Sequence, residues 1–127
     1  MMIAPGLTTS GGRCDAAVNL LDIYPTLIDL CGLAPKPELE GTSLLPLLKD
    51  PAAEWDSPTL TTYGRNNHTI RSKEWRYIRY ADGSEELYDH KNDELEWTNL
   101  TAKPEYEEIK KELARWLPGI NAPDVEG

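Results

Sequence analysis

Histidine, cysteine and basic side chains are all scarce in this chain, and each scarcity closes off a class of function. His68 and His90 are the only histidines. They stand at opposite ends of the segment 68–90, which argues against a shared metal site. The two cysteines, Cys14 and Cys31, are too few for a disulfide framework and lack zinc-ligand spacing. Cys31 ends an apolar helical pattern and is expected to be a buried thiol. There is no G-x-S-x-G elbow, H-E-x-x-H pair, Gly-rich phosphate loop or C-x-x-C. No common hydrolase set of nucleophile, base and charge-holding group is therefore complete. Thirteen Lys and Arg against 22 Asp and Glu give a net charge of -9. A phosphate-binding surface needs clustered cations, so this balance argues against a nucleic-acid role. The longest apolar runs, "NLLDIYPTLIDLCGL" and "SLLPLL", are too short and interrupted to span a bilayer. "MMIAPGLTTSGGRC" has no basic region followed by an apolar one, so no signal peptide is expected.

With 39% apolar and 28% charged residues among 127, the composition suits a soluble globular chain with one modest core. "APGLTTSGGRC" reads as loop. "DIYPTLIDLC", residues 22–31, reads as a helix: Asp22 suits the cap, Pro25 the first turn and Gly32 the stop. Its apolar residues go around much of the surface, so it should be buried. "LLPLLKD", after Ser43, is a second short helix ended by Pro51. Strands are expected at 59–63, 68–72, 75–81 and 86–89. Lys73-Glu74 and a two-residue turn at Asp82-Gly83 join the last three. In "WRYIRY" the alternation allows Ile78 and Tyr80 to face a core and Tyr77 and Arg79 to face away. Residues 104–117 form a final helix whose stripe of Tyr106, Ile109, Leu113, Trp116 and Leu117 covers the sheet. Its N-terminal glutamates and later basic residues suit the helix dipole. The tail 118–127 is expected to fray. The fold class is α+β: a four-stranded antiparallel sheet with a C-terminal helix packed on it, preceded by a helical segment. Residues 1–52 and 53–127 are the two expected parts.

Arg65, Arg71, Arg76 and Arg79 crowd into residues 65–79 of an acidic chain. They read either as solvated strand-face cations or as a local anion-facing patch. The turn Arg65-Asn66-Asn67-His68 gathers a cation, two amides and an imidazole, types that suit an anionic or hydroxyl-rich ligand. The alternative is a polar loop that simply caps the sheet. His90 reads as a surface or capping residue, and the acidic pairs Glu85-Glu86 and Asp93-Glu94 as solvated turn charges. Asn67-His68-Thr69 and Asn99-Leu100-Thr101 match the glycosylation acceptor pattern, which is short and recurs by chance.

Taken in order, "VNLLDIYPTLIDLCGL", "LEGTSLLPLLKDP", "TTYGRNNHTIRSKEWRYIRYADGSEELYDHKNDELEWTNL" and the final helix resemble the C-terminal part of type I sulfatases. The bacterial iduronate-2-sulfatase-like branch is the nearest in pattern. The first block also occurs in related phosphonate and phosphodiester hydrolases, whereas W-R-Y-I-x-Y-x-D-G-x-E-E-L-Y-D with E-W-x-N-L is the more specific one. The resemblance implies a C-terminal subdomain of sheet plus helix, and places residues 1–52 at the junction with a large α/β domain. It implies a parent enzyme that uses formylglycine and calcium. Here Cys14 is followed by Asp-Ala-Ala-Val and Cys31 by Gly-Leu-Ala-Pro, so neither fits the C/S-x-P-x-R nucleophile motif. Asp89-His90 lies outside the region that carries the calcium ligands. The chain by itself is expected to be inactive, with no catalytic residue and no metal site of its own. Its expected partners are an N-terminal catalytic domain, a sulfated sugar or aryl sulfate for the parent, and further copies of itself through exposed apolar surface. Arg65, Asn67 and His68 are expected at the substrate-cleft rim, and Arg71 in a structural ion pair. The parent is of a type often exported to the periplasm or secreted. The competing readings are a standalone binding or interaction module derived from a sulfatase and a fragment of a related phosphonate or phosphodiester hydrolase.

Overall fold

The computed structural model describes residues 2–8 and 11–123. The chain divides into two compact units, Met1–Ser57 and Pro58–Gly127.

In the first unit a short 3₁₀ turn, Leu20–Asp22, leads into α1, Ile23–Leu30, and α2 follows at Leu45–Lys49. Asp22 does not cap α1 with its side chain. It is buried, and its carboxylate accepts the backbone N–H groups of Asn19, 2.7 Å, and Thr42, 2.8 Å. One turn on, the fully buried Thr26 hydroxyl donates to the Asp22 carbonyl and accepts the Leu44 N–H at 2.8 Å. Two polar side chains thus fasten α1 to the segment entering α2. Gly41 meets the 3₁₀ turn before α1 so closely that a Cβ there would lie 2.1 Å from the Leu21 carbonyl oxygen. After α1, Gly32, the predicted stop, takes φ +62 and Leu33 N–H donates back to the Ile28 carbonyl in a Schellman closure. Leu45 N–H reaches the Ser43 hydroxyl at 3.3 Å, and α2 ends before Pro51.

The expectation that α1 is buried on all sides does not hold. Ile28 is buried, but Ile23, Tyr24, Leu27 and Leu30 are exposed, as are Leu20 and Leu33 beside the helix. Cys31 is exposed too, rather than a buried thiol. A helix of eight residues with two short neighbours has only one side to cover.

The second unit is the four-stranded antiparallel sheet, in the order β1 (Thr59–Thr62), β2 (His68–Arg71), β3 (Trp75–Arg79), β4 (Glu85–Asp89). Leu60, Ile70, Tyr77 and Leu87 stand in one register row. Ile70, Tyr77 and Leu87 form the core with Leu100 and Leu113, flanked by Trp75, Tyr106, Ile109 and Leu117. The last helix comes as a 3₁₀ turn, Pro104–Tyr106, and α3, Glu107–Ala114. It covers the Tyr77 side of β3, so the predicted facing is reversed: Ile78 belongs to the opposite face. Trp116 points out, half exposed, rather than joining the stripe. The β3–β4 connection is a three-residue loop with Tyr80 N–H bonded to Ser84 and Gly83 at φ +86, not the two-residue turn expected. Asp82 stabilises it by accepting from Ser84 through both N–H, 2.9 Å, and O–H, 2.6 Å.

Past β4 the chain doubles back along the sheet edge. The Asn99 side chain accepts Leu87 N–H at 3.1 Å and donates to the Glu85 carbonyl, while Leu100 N–H bonds Leu87 at 2.8 Å. The outward-facing Glu85 carbonyl and both backbone groups of Leu87 are thereby occupied. Residues 124–127, the end of the predicted frayed tail, lie outside the described residues, as do residues 9 and 10 of the predicted lead-in loop.

Candidate functional site

The β1–β2 loop carries the predicted site residues. Tyr63 N–H closes it onto the Asn67 carbonyl at 3.0 Å. Gly64 and Asn66 both take positive φ, +65 and +63, the second a conformation uncommon outside glycine. The Asn67 amide holds the loop from within. Its Nδ2 donates to the Arg65 carbonyl and its Oδ1 accepts Ala81 N–H from the β3–β4 turn, both at 3.1 Å. Tyr63, Arg65 and Asn66 are exposed on this braced loop.

His68 differs from its predicted neighbours. It is the first residue of β2, on the face that α3 covers, and 2% exposed. Nε2 lies 2.6 Å from Asn121 Oδ1, and Nδ1 lies 2.9 Å from the Thr62 hydroxyl. An amide oxygen only accepts, so the network assigns the proton to Nε2 and leaves Nδ1 to accept from Thr62. The ring ties the foot of the loop to the C-terminal tail. Arg65 and Asn67 are brought together with it by the fold, but the imidazole itself faces inward.

A second polar cluster lies on the other face of the sheet, at the far end of β2. Arg71 and Arg76 are direct cross-strand partners. Glu96 accepts from Arg76 Nη1 at 2.7 Å and lies 2.6 Å from His90 Nε2. Its backbone sits at φ +58, a strained setting for a glutamate. Burial raises the Glu96 carboxyl, but the hydrogen bonds and charges of Arg76 and His90 outweigh it and hold the group below the usual range. His90 is half-buried in this network rather than a plain surface residue. Arg71 makes no ion pair among the described residues, contrary to expectation, and its Nη1 is buried without a hydrogen-bond partner. Burial holds its guanidinium below the ordinary arginine range, Glu96 opposing and Arg76 adding to the effect. Nothing in "DELEW" marks Glu96 as this anchor, because the contact spans 20 residues and depends on a loop bend.

No group of three or more His, Cys, Asp or Glu side chains among the described residues is placed to hold a metal ion. The cysteines are isolated and exposed. Among the described residues no side-chain cluster fits a resident calcium, and neither cysteine stands in the C/S-x-P-x-R motif that a formylglycine needs.

A family profile described as N-sulphoglucosamine sulphohydrolase, C-terminal, matches residues 1–122. A sulfatase of Formosa agariphila is 38% identical over 112 residues, covering 88% of this chain and 22% of the relative. The Delta 4,5-hexuronate-2-O-sulfatase of Bacteroides thetaiotaomicron is 38% identical over 104 residues, 72% of this chain and 21% of its own. The solved structure of BT1596, a 2-O GAG sulfatase, superposes with a TM-score of 0.71 at 28% identity, covering 88% of this chain and 27% of that one. The chain thus spans about a quarter or less of the length of the curated relatives it matches. The sheet-and-helix unit, the motif blocks and the profile match agree: the chain belongs to the family of the C-terminal region of N-sulphoglucosamine sulphohydrolase and is a C-terminal part of a sulfatase.

Proposed function

We propose that this chain completes a sulfuric ester hydrolase of the iduronate-2-sulfatase-like kind, whose substrate is a sulfated sugar. The observation that carries the reading is the family match over residues 1–122, in a chain without a C/S-x-P-x-R motif. Formylglycine and calcium would come with an N-terminal catalytic region, which supplies nucleophilic attack on sulfur and charge neutralisation. The chain by itself is inactive. Residues 1–52 form the junction with that region, and the apolar flank of α1 is the surface it covers; without it, copies of the chain self-associate there. The named substrates of the relatives support a sulfated uronate or amino sugar.

Within this reading the β1–β2 loop belongs to the substrate-cleft rim. Arg65 offers a guanidinium to a sulfate or carboxylate group. Asn67 fixes the loop that presents it, and His68 sets the loop's base through Thr62 and Asn121. The loop's internal bracing supports the assignment, because a binding loop with fixed geometry loses less freedom when its ligand arrives.

The test starts with the DNA upstream of the Met1 codon. The reading expects an in-frame stretch encoding C-x-P-x-R or S-x-P-x-R, and hydrolysis of an aryl sulfate by the longer product but not by the 127-residue chain. Hydrolysis by the short chain alone would refute it. In the longer form, Arg65→Ala is expected to lower kcat/KM for a sulfated disaccharide about tenfold or more. An unchanged kcat/KM removes the rim role.

A further inference from the structure

A buried imidazole holds the C-terminal tail where fraying is expected. Leu117 packs on the core, but Gly119, Ile120, Ala122 and Pro123 beyond it are exposed. Ile120 stands 88% in solvent, so apolar burial does not fix the tail there. Asn121 turns inward instead, and its Oδ1 lies 2.6 Å from His68 Nε2, a contact across 53 residues. His68 is 2% exposed, so without that oxygen its Nε2–H would be a stranded donor.

The bond also decides what the other ring nitrogen does. With the proton on Nε2, Nδ1 accepts the Thr62 hydroxyl at 2.9 Å. Thr62 and His68 are register partners, the last rung of the β1–β2 ladder before the loop. Directly beyond them, Tyr63 N–H closes onto the Asn67 carbonyl. Without Asn121 the ring is free to carry its proton on Nδ1, which reverses the bond to Thr62 at the loop's stem. We propose that Asn121 is a positioning residue for the β1–β2 loop: through the His68 tautomer and Thr62, the tail sets how Arg65 is presented. The coupling of tail to loop stands on this geometry alone, whereas its effect on a substrate rests on the cleft-rim reading.

The experiment uses the isotope-labelled 127-residue chain, in which His68 and His90 are the only imidazoles. Their ring-nitrogen resonances are read at about pH 8, where an ordinary imidazole is neutral. The expected result is a single His68 tautomer protonated at Nε2. Asn121→Ala is expected to mix the tautomers and to shift the backbone amides of residues 62–67, with His90 unmoved. Asn121→Leu, close in size but without an acceptor, is expected to behave like alanine, and Asn121→Asp, which keeps an acceptor oxygen, to restore the loop amides. Mixed tautomers in the wild type, loop amides unmoved by Asn121→Ala, or a leucine variant that matches wild type overturns the proposal. Should the Asn121 variants fail to fold, Thr62→Val removes the donor at the other end of the relay; it is expected to move the same amides, and unmoved amides overturn the proposal. In the longer form, Asn121→Ala is expected to raise KM for a sulfated disaccharide about fivefold with kcat held, and to add nothing in an Arg65→Ala background. Equal effects in both backgrounds refute action through Arg65. A silent Arg65→Ala removes the rim reading and leaves the coupling measured in the 127-residue chain as it stands.

Discussion

Asp22 shows how much one side chain can hold. Its carboxylate satisfies two backbone donors, one 3 and one 20 residues away in the chain, and it does so out of contact with water. Replacing it with alanine strands both donors, so Asp22→Ala is expected to lower unfolding free energy by about 2–4 kcal/mol, measured in urea. Glu85 offers a pH signature. Burial works against its charged form, but hydrogen bonds from Tyr77 and Lys110 prevail and hold its carboxyl below the usual 4.5. A depressed folded-state pKa means the stabilisation is whole above the unfolded value and is lost as pH falls. Unfolding free energy should therefore drop below about pH 4.5, and Glu85→Gln should flatten that slope relative to wild type. Equal slopes for both proteins would exclude Glu85 as the source. The residue roles were the least legible from sequence. Local pattern makes Asp22 a cap for α1, whereas its carboxylate holds Asn19 at the start of the preceding turn and Thr42, a long-range contact no local pattern marks. His68 belongs by pattern both to the polar turn and to the first position of β2, and alternation cannot say which face α3 will take.

At the scale of elements, patterning did better. All four strands lie within two residues of the ends the sequence indicates, β4 starting one residue early, whereas the last helix opens as a 3₁₀ turn and stops three residues short, at Ala114. The failures have a common cause. Both faces of β3 carry a large buried side chain, Tyr77 and Ile78, so the 2-residue period gives no preferred direction. The α3 contact chose Tyr77. Leu113→Ala should open a cavity in that contact and cost about 2–4 kcal/mol, seen as a lower denaturant midpoint. Gly41→Ala tests a backbone approach instead. The added methyl group meets the Leu21 carbonyl, which cannot swing aside as a side chain would. A loss of more than about 2 kcal/mol is expected, with amide shifts spread through residues 18–48. A variant as stable as wild type would show that α1 can move away.

For the whole molecule, the apolar side of α1 dominates behaviour. Leu20, Leu27 and Leu33 remain in water. Changing all three to serine should shift sedimentation of the 127-residue chain toward monomer, and unchanged sedimentation would place self-association elsewhere. The sequence foretold exposed apolar surface through its family resemblance and not through periodicity, since an all-round apolar helix looks the same whether or not its cover is present.

The Asn99 clasp on β4 has a consequence for how such copies can join. It covers the β4 border at Glu85 and Leu87, whereas at the other border, β1, Thr61 and Thr62 stand exposed. In polymer terms the sheet is monofunctional. Two copies can zip border to border, but the product offers no free end for a third, so growth by strand addition stops at the pair. Freeing the closed border, as Asn99→Ala would begin to do, turns a chain terminator into a repeating unit.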